Sequence, residues 1–259
     1  MQEFRQITSK DNPLIKFVIG LQNSAKERRD SGLFVLEGLR ICLDAYDNGI
    51  KFNKLIVTEN AINKNAAAVK NLKSVSENCY ILREDLFKKI CDTNTPQGIM
   101  AVANMPETKI DISHQGRYIA LENISDPSNL GAVARTAEAL GVSGIIVSTN
   151  GCDPYSPKSM RASMGTLLRV PIYITDNITE FIKENGLRSF ACVVDSTAQS
   201  ITKAGFKNGD VLLIGNEANG LIDETIESAD LSVTIPMVGK TESLNAAAAA
   251  SIAMWEMMK

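Results

Sequence analysis

Val211-Leu212-Leu213-Ile214-Gly215-Asn216-Glu217-Ala218-Asn219-Gly220 is the stretch whose reading decides the architecture. The unbroken apolar run Val211–Ile214 reads as a strand covered on both faces, the mark of a parallel sheet. Two glycines and two asparagines around one carboxylate follow, and they favour unusual backbone angles. Such a loop offers its own N–H and C=O groups to a ligand. Two further segments repeat the junction. Asp126-Pro127-Ser128-Asn129-Leu130-Gly131, with Arg135 behind it, follows one apolar run. Ile235-Pro236-Met237, then Ser243-Leu244-Asn245, ends another. Open α/β proteins bind ligands at the carboxyl ends of their strands. A plain strand-to-helix turn accounts for any one of these segments; three in this order point to a composite site.

Outward from that stretch, strand and helix alternate. Strands are expected at 118–121, 144–147, 170–174, 190–194, 211–214 and 231–235, and helices at 129–140, 157–164, 177–185, 222–228 and 243–257. The pattern is a doubly wound α/β sheet. Neither a G-x-G-x-x-G after the first strand nor a G-x-x-x-x-G-K-[ST] occurs, which argues against a dinucleotide fingerprint and a P-loop. Residues 1–105 read as a separate small α/β unit. Asn12-Pro13 starts a helix with Ile15, Val18, Ile19 and Leu21 at helical spacing. Strands follow at 34–36, 54–58, 80–82 and 99–103, with helices near 39–46, 64–72 and 85–90. Residues 106–116 are turn-rich and aperiodic, so the domain boundary falls there, and 117–259 form the second domain.

The composition narrows the chemistry. The single histidine, His114, lies in a polar stretch and reads as a solvated linker residue, so histidine-based triads and multi-histidine metal sites are disfavoured. Five scattered cysteines without a C-x-x-C pair point to reduced thiols in cytoplasm rather than to zinc or disulfides. The polar amino terminus is no secretory signal, and no apolar run suits a membrane helix. Net charge is −3 but unevenly spread: residues 1–105 carry 15 Lys and Arg against 12 Asp and Glu, the remainder 12 against 18. Lys26, Arg28 and Arg29 cluster, with Arg40 beyond them. The cluster is either a solvated helix face or a local RNA-binding surface, since phosphate binding needs local rather than global positive charge.

Each of the three segments carries chemistry. Ser128 or Asn129 can cap the helix behind Pro127. Arg135 sits among small residues, which suggests either a fixed anionic partner such as phosphate or a surface pair with Glu138. Glu217 can orient an amino or hydroxyl group. Ser243-Leu244-Asn245 opens a helix whose N–H groups favour an anion. The run Ala246–Ala250 reflects helix propensity, or a face flattened for a second subunit.

Together the segments resemble the signature motifs of the SpoU-type (TrmH-like) RNA 2′-O-ribose methyltransferases of the SPOUT superfamily. D-P-x-N-x-G-x-x-x-R is met at Asp126, Pro127, Asn129, Gly131 and Arg135; G-x-E-x-x-G at Gly215, Glu217 and Gly220; I-P-M-x-G with S-L-N at Ile235, Pro236, Met237, Gly239, Ser243, Leu244 and Asn245. Arg161-Ala162-Ser163-Met164-Gly165 resembles a segment between the first two motifs, and residues 1–105 resemble the family's ribosomal-protein-like substrate-binding domain. The resemblance implies an α/β SPOUT domain with a deep trefoil knot, bound S-adenosylmethionine and a homodimer that completes the site. It implies cofactor contacts at Gly215, Ile235 and Leu244, with Asn216, Gly220 and Met237 beside them. It assigns hydroxyl activation to Arg135, supported by Asn129, Glu217, Ser243 and Asn245. The implied activity is methylation of a ribose 2′-hydroxyl in structured RNA, 23S ribosomal RNA foremost, in the cytoplasm and away from membranes. Transfer RNA as substrate, a non-catalytic ribosome-assembly role on the same fold, and a small-molecule enzyme are the alternatives.

Overall fold

Asn12 starts the first long helix by accepting a hydrogen bond from Leu14 N at 2.9 Å, and Pro13 fits the first helical position, where no N–H is needed. The computed structural model describes residues 3–106 and 112–259. Part of the expected 106–116 linker lies outside these described residues. The chain forms two compact units, one of Met1–Glu107 with Tyr155–Arg161, the other of Thr108–Pro154 with Ala162–Lys259.

In the first unit, strands β1 (Arg5–Ile7), β2 (Leu33–Glu37), β3 (Phe52–Val57), β4 (Ser76–Leu82) and β5 (Ile99–Asn104) lie in the order β1-β4-β3-β5-β2. Strands β1, β4 and β3 are parallel; β5 runs antiparallel to both its neighbours. Helices α1 (Pro13–Asn23), α2 (Ala25–Ser31), α3 (Leu39–Asp47), α4 (Glu59–Lys64), α5 (Ala66–Ser74) and α6 (Glu84–Phe87) complete it. Leu14, Ile15, Val18 and Leu21 of α1 pack on Val35, Ile56, Met100 and Val102, so the helical stripe in the sequence is the core face. The helix expected at 64–72 is α5, which starts at Ala66 because Asn65 leaves helical geometry at φ −132°, and α4 precedes it. Strand β1, only three residues long and half exposed, has no apolar alternation to betray it.

The second unit is a seven-stranded, wholly parallel sheet: β6 (Tyr118–Leu121), β7 (Gly144–Ser148), β8 (Ile172–Thr175), β9 (Arg188–Cys192), β10 (Gln199–Ser200), β11 (Asp210–Ile214) and β12 (Leu231–Thr234). The order is β10-β12-β9-β11-β6-β7-β8. Strands β6, β7 and β11 are buried at every residue, as their apolar runs require. Helices α7 (Pro127–Leu140), α9 (Ile178–Glu184), α10 (Asp223–Ser228) and α11 (Ala246–Met258) belong to this unit, whereas α8 (Pro157–Ala162) falls, up to Arg161, in the first. Tyr118, Tyr173, Phe181 and Ile182 anchor the core under α9. The chain runs from β6 outward to β7 and β8, then crosses back so that β11 lies beside β6. The order reverses at this pair, and crevices form at such points.

Several boundaries differ from the sequence reading, and two of them bear on the site. Strand β9 begins two residues earlier than expected, since Arg188 pairs with Asp210 of β11, and this leaves Val193 and Val194 beyond the strand. Helix α11 starts at Ala246, not Ser243: the Asn245 side chain accepts from Ala247 N at 2.9 Å and Ala248 N at 3.2 Å, which makes it the cap.

Candidate functional site

The carboxyl ends of β6, β9, β11 and β12 converge. After β6, Asp126 caps α7 by accepting from Ser128 N at 2.8 Å, with Pro127 at the first helical position. Ser128 and Asn129 are therefore not the cap, and Asn129 is released for another task. Gly131 lets α7 press against Ala162 at the end of α8: a methyl there would lie 2.5 Å from the Ala162 carbonyl carbon.

The loop after β11 folds into a hairpin closed by two hydrogen bonds between Asn216 and Gly220, both 2.9 Å. Gly220 takes φ +70°, and any side chain on Gly215 would collide with the returning backbone, 2.0 Å from the Gly220 carbonyl carbon. The hairpin presents Glu217. One oxygen accepts from Asp126 N at 3.2 Å and from Asn129 Nδ2 at 2.8 Å. The other accepts from Ser125 N at 3.2 Å, Ser125 Oγ at 3.0 Å and Asn216 Nδ2 at 3.3 Å. Burial opposes its charge, but the donors from Asn129 and the surrounding main chain outweigh burial and hold the carboxyl at about 2.

Asn129 then links to the third segment. Its Oδ1 accepts from Asn245 Nδ2 at 3.1 Å. Glu217, Asn129 and Asn245 thus form one hydrogen-bonded line across all three sequence segments, and Asn245 ties that line to the start of α11. Asn216 Nδ2 also donates to the Asn123 carbonyl at 2.7 Å. Asn123 sits at φ +55° and is held there by Ser148, whose Oγ accepts from Asn123 N at 2.7 Å. Such strain clusters at functional sites.

Beside this line lies a cavity of about 480 Å³, within the range of small-molecule sites. Its lining includes Gly215, Asn216, Glu217, Gly220, Ile235, Met237, Ser243 and Leu244, all singled out in the sequence. Residues the sequence reading missed join them, among them Cys192 at the end of β9 and Val193, Val194 and Asp195 beyond it. Apolar residues closing a strand carry no motif, so only the sheet order could bring them in. Burial pushes the Cys192 thiol up to about 11, so it stays protonated and non-nucleophilic at neutral pH. Among the described residues no group of three or more His, Cys, Asp or Glu is placed to hold a metal ion.

Arg135 lies on the exposed side of α7 and has no ion-pair or hydrogen-bond partner among the described residues. The pair with Glu138 considered from the sequence does not form, because Glu138 is taken by Arg169, whose Nη2 donates at 2.9 Å. In the first unit, Lys26, Arg29 and Arg40 are exposed. Arg28 corrects the sequence reading: only 3% exposed, it donates through Nη1 to the Leu21 carbonyl at 2.5 Å and the Gln22 carbonyl at 3.1 Å. It holds the end of α1 to α2 and is not a surface cation. The run Ala246–Ala250 also serves within the chain: α11 packs on α7, and Thr136 Oγ1 meets Ser251 Oγ at 3.0 Å between them.

A parallel α/β sheet whose strand ends enclose a ligand-sized cavity, beside a buried amide bonded at both ends, defines a binding domain of the SPOUT methyltransferase kind. The SpoU rRNA Methylase family matches residues 116–255, and the MRM3-like substrate binding domain matches residues 12–101. The chain belongs to the SpoU rRNA methylase family. It is 28% identical to the 23S rRNA (guanosine(2553)-2′-O)-methyltransferase RlmP of Bacillus subtilis, over 98% of this chain and 99% of that one. An AdoMet-bound rRNA methyltransferase from Sinorhizobium meliloti superposes with TM-score 0.86 at 29% identity, covering 98% of this chain and 97% of that one. The SpoU methyltransferase AviRb from Streptomyces viridochromogenes, in complex with AdoMet, gives TM-score 0.85 at 25% identity, covering 95% and 97%.

Proposed function

We propose that this chain is an S-adenosylmethionine-dependent methyltransferase acting on a ribose 2′-hydroxyl of 23S ribosomal RNA. The observation that carries the reading is the Glu217–Asn129–Asn245 line, which joins all three motifs beside the cavity. The residues fit the donor. Gly215 and Gly220 bare their backbone for an adenine edge, Ile235, Met237 and Leu244 supply apolar walls, and the cavity's charged groups are carboxylates facing a cationic ligand. The bound donor supplies a methyl group made electrophilic by its sulfonium.

The chain's own residues do the rest. Arg135, without a partner among the described residues, grips the phosphate next to the target ribose and lowers the pKa of its hydroxyl. A guanidinium stays protonated, so Arg135 acts electrostatically and not as a base. Asn129, fixed at both ends of its amide, Glu217, Ser243 and Asn245 position the ribose and hold the loops.

Residues 1–105 serve as the RNA-binding domain, 106–116 as linker and 117–259 as the methyltransferase domain. Lys26, Arg29 and Arg40 supply exposed cations to RNA phosphates. The return of α11 onto α7 after β12 supports a knotted path through the loops 215–220 and 235–245. A homodimer is supported by Ala248, Ile252 and Trp255, an apolar stripe on α11 that the chain itself leaves open; Trp255 is 59% exposed. No helix of the described residues is long and apolar enough to cross a membrane, and the place of action is the cytoplasm, with its ribosomal RNA.

Methyl-labelled donor, bulk ribosomal RNA and the purified protein test this. Label is expected in one 2′-O-methyl nucleotide of 23S RNA, and Arg135→Ala is expected to abolish transfer while donor affinity stays within about twofold. Transfer by Arg135→Ala at near wild-type rate refutes the role of Arg135. Label in transfer RNA alone, or in no RNA, refutes the substrate or the activity.

A further inference from the structure

The cavity is electrostatically one-sided. Among its described lining residues two side chains are charged at neutral pH, Asp195 and Glu217, and there is no Lys, Arg or His. The two carboxylates are differently engaged. Both oxygens of Glu217 are committed to holding the loops together. Asp195 uses a single oxygen: Oδ1 accepts from Thr197 N at 2.7 Å and Thr197 Oγ1 at 2.8 Å. Its Oδ2 accepts no hydrogen bond among the described residues. The same two donors from Thr197 favour the ionised form. Asp195 is exposed and lies just past β9, on the solvent side of the cavity.

Methyl transfer changes the charge of what this cavity holds. The donor bears a sulfonium and an ammonium against one carboxylate, net +1. Its thioether product has lost the sulfonium charge and is net neutral. A carboxylate in the wall favours the first over the second.

We propose that Asp195 is a specificity-determining residue that sets the preference of this cavity for the cationic methyl donor over its net-neutral product. The proposal rests on the reading of the cavity as the donor site. A unit charge at the distances such a cavity allows, partly screened by water, is worth roughly three- to tenfold in that ratio.

The test is calorimetric binding of three probes to the full-length protein: S-adenosylmethionine, S-adenosylhomocysteine and the amine-bearing analogue sinefungin. Asp195→Asn keeps an oxygen for the Thr197 turn and removes only the charge. The variant is expected to weaken both cationic probes and leave the thioether nearly unchanged, so that the ratio of their Kd values falls by about three- to tenfold. Added salt is expected to shrink the wild-type ratio and leave that of the variant flat. An unchanged ratio, or equal weakening of all three probes, overturns the proposal and makes Asp195 a turn residue only. Failure of every probe to bind the wild type instead sinks the donor-site reading, and the proposal with it.

Discussion

Replacing Asn129 by alanine severs the line that joins the three motifs, and the cost follows from the two bonds removed. Asn129 is 6% exposed. Its Nδ2 donates to the ionised Glu217 at 2.8 Å, and its Oδ1 accepts from Asn245 at 3.1 Å. A bond to a charged group is worth about 1.5–3 kcal/mol and a neutral one about 0.5–1.5. Glu217 keeps four other donors and faces solvent, which draws its share toward the lower end. The expected loss is about 2–3 kcal/mol. Asn129→Asp is expected to lose more, because it sets a second carboxylate against Glu217 and offers no donor in its place. Urea unfolding followed through Trp255, the only tryptophan and a resident of α11, reads the unit concerned. A fall in midpoint at constant slope is the expected signature, with methyl transfer lost. Stability within about 0.5 kcal/mol of wild type together with full activity, or Asn129→Asp as stable as Asn129→Ala, refutes the claim that this amide organises the site.

Acid should weaken the same loops. The carboxyl of Glu217 is held at about 2 against an ordinary 4.5, so its contribution to stability is fully present above pH 4.5 and is lost as pH falls through about 2. The difference in melting temperature between wild type and Glu217→Gln, followed from pH 5 to pH 2, is expected to shrink across that window; a constant difference contradicts the assignment. Gly215→Ala is expected to abolish donor binding by calorimetry, since its methyl would stand 2.0 Å from backbone that cannot move independently of the hairpin; unchanged affinity would show the hairpin yields. Lys26→Ala with Arg29→Ala is expected to weaken RNA binding in gel shifts without changing melting temperature. Arg28→Ala is expected to lower melting by leaving the Leu21 and Gln22 carbonyls without their donor.

Much of the fold is legible in the chain because parallel strands must be apolar throughout. Val211–Ile214, Gly144–Val147 and Tyr118–Leu121 announce themselves that way. Short strands at the sheet edges do not: Gln199–Ser200 is polar and two residues long, held by its pairing with β12. Cap identity is also hard to read in sequence, where Ser128 or Asn129 suits the position. The structure gives the task to Asp126, because Pro127 then occupies the first helical position.

By itself the sequence determined the alternation of strand and helix, the three loops that matter and the polar residues they carry, because each follows from local pattern and turn chemistry. Only the tertiary structure decided which of those residues touch. Glu217, Asn129 and Asn245 are separated by 88 and 116 positions and meet through a strand order that local pattern does not encode. The same long-range packing gave Glu138 to Arg169, leaving Arg135 without a partner among the described residues, and brought Asp195 to the cavity wall. Burial and partnership are properties of what lies alongside in space, and a residue's neighbours along the chain do not set them.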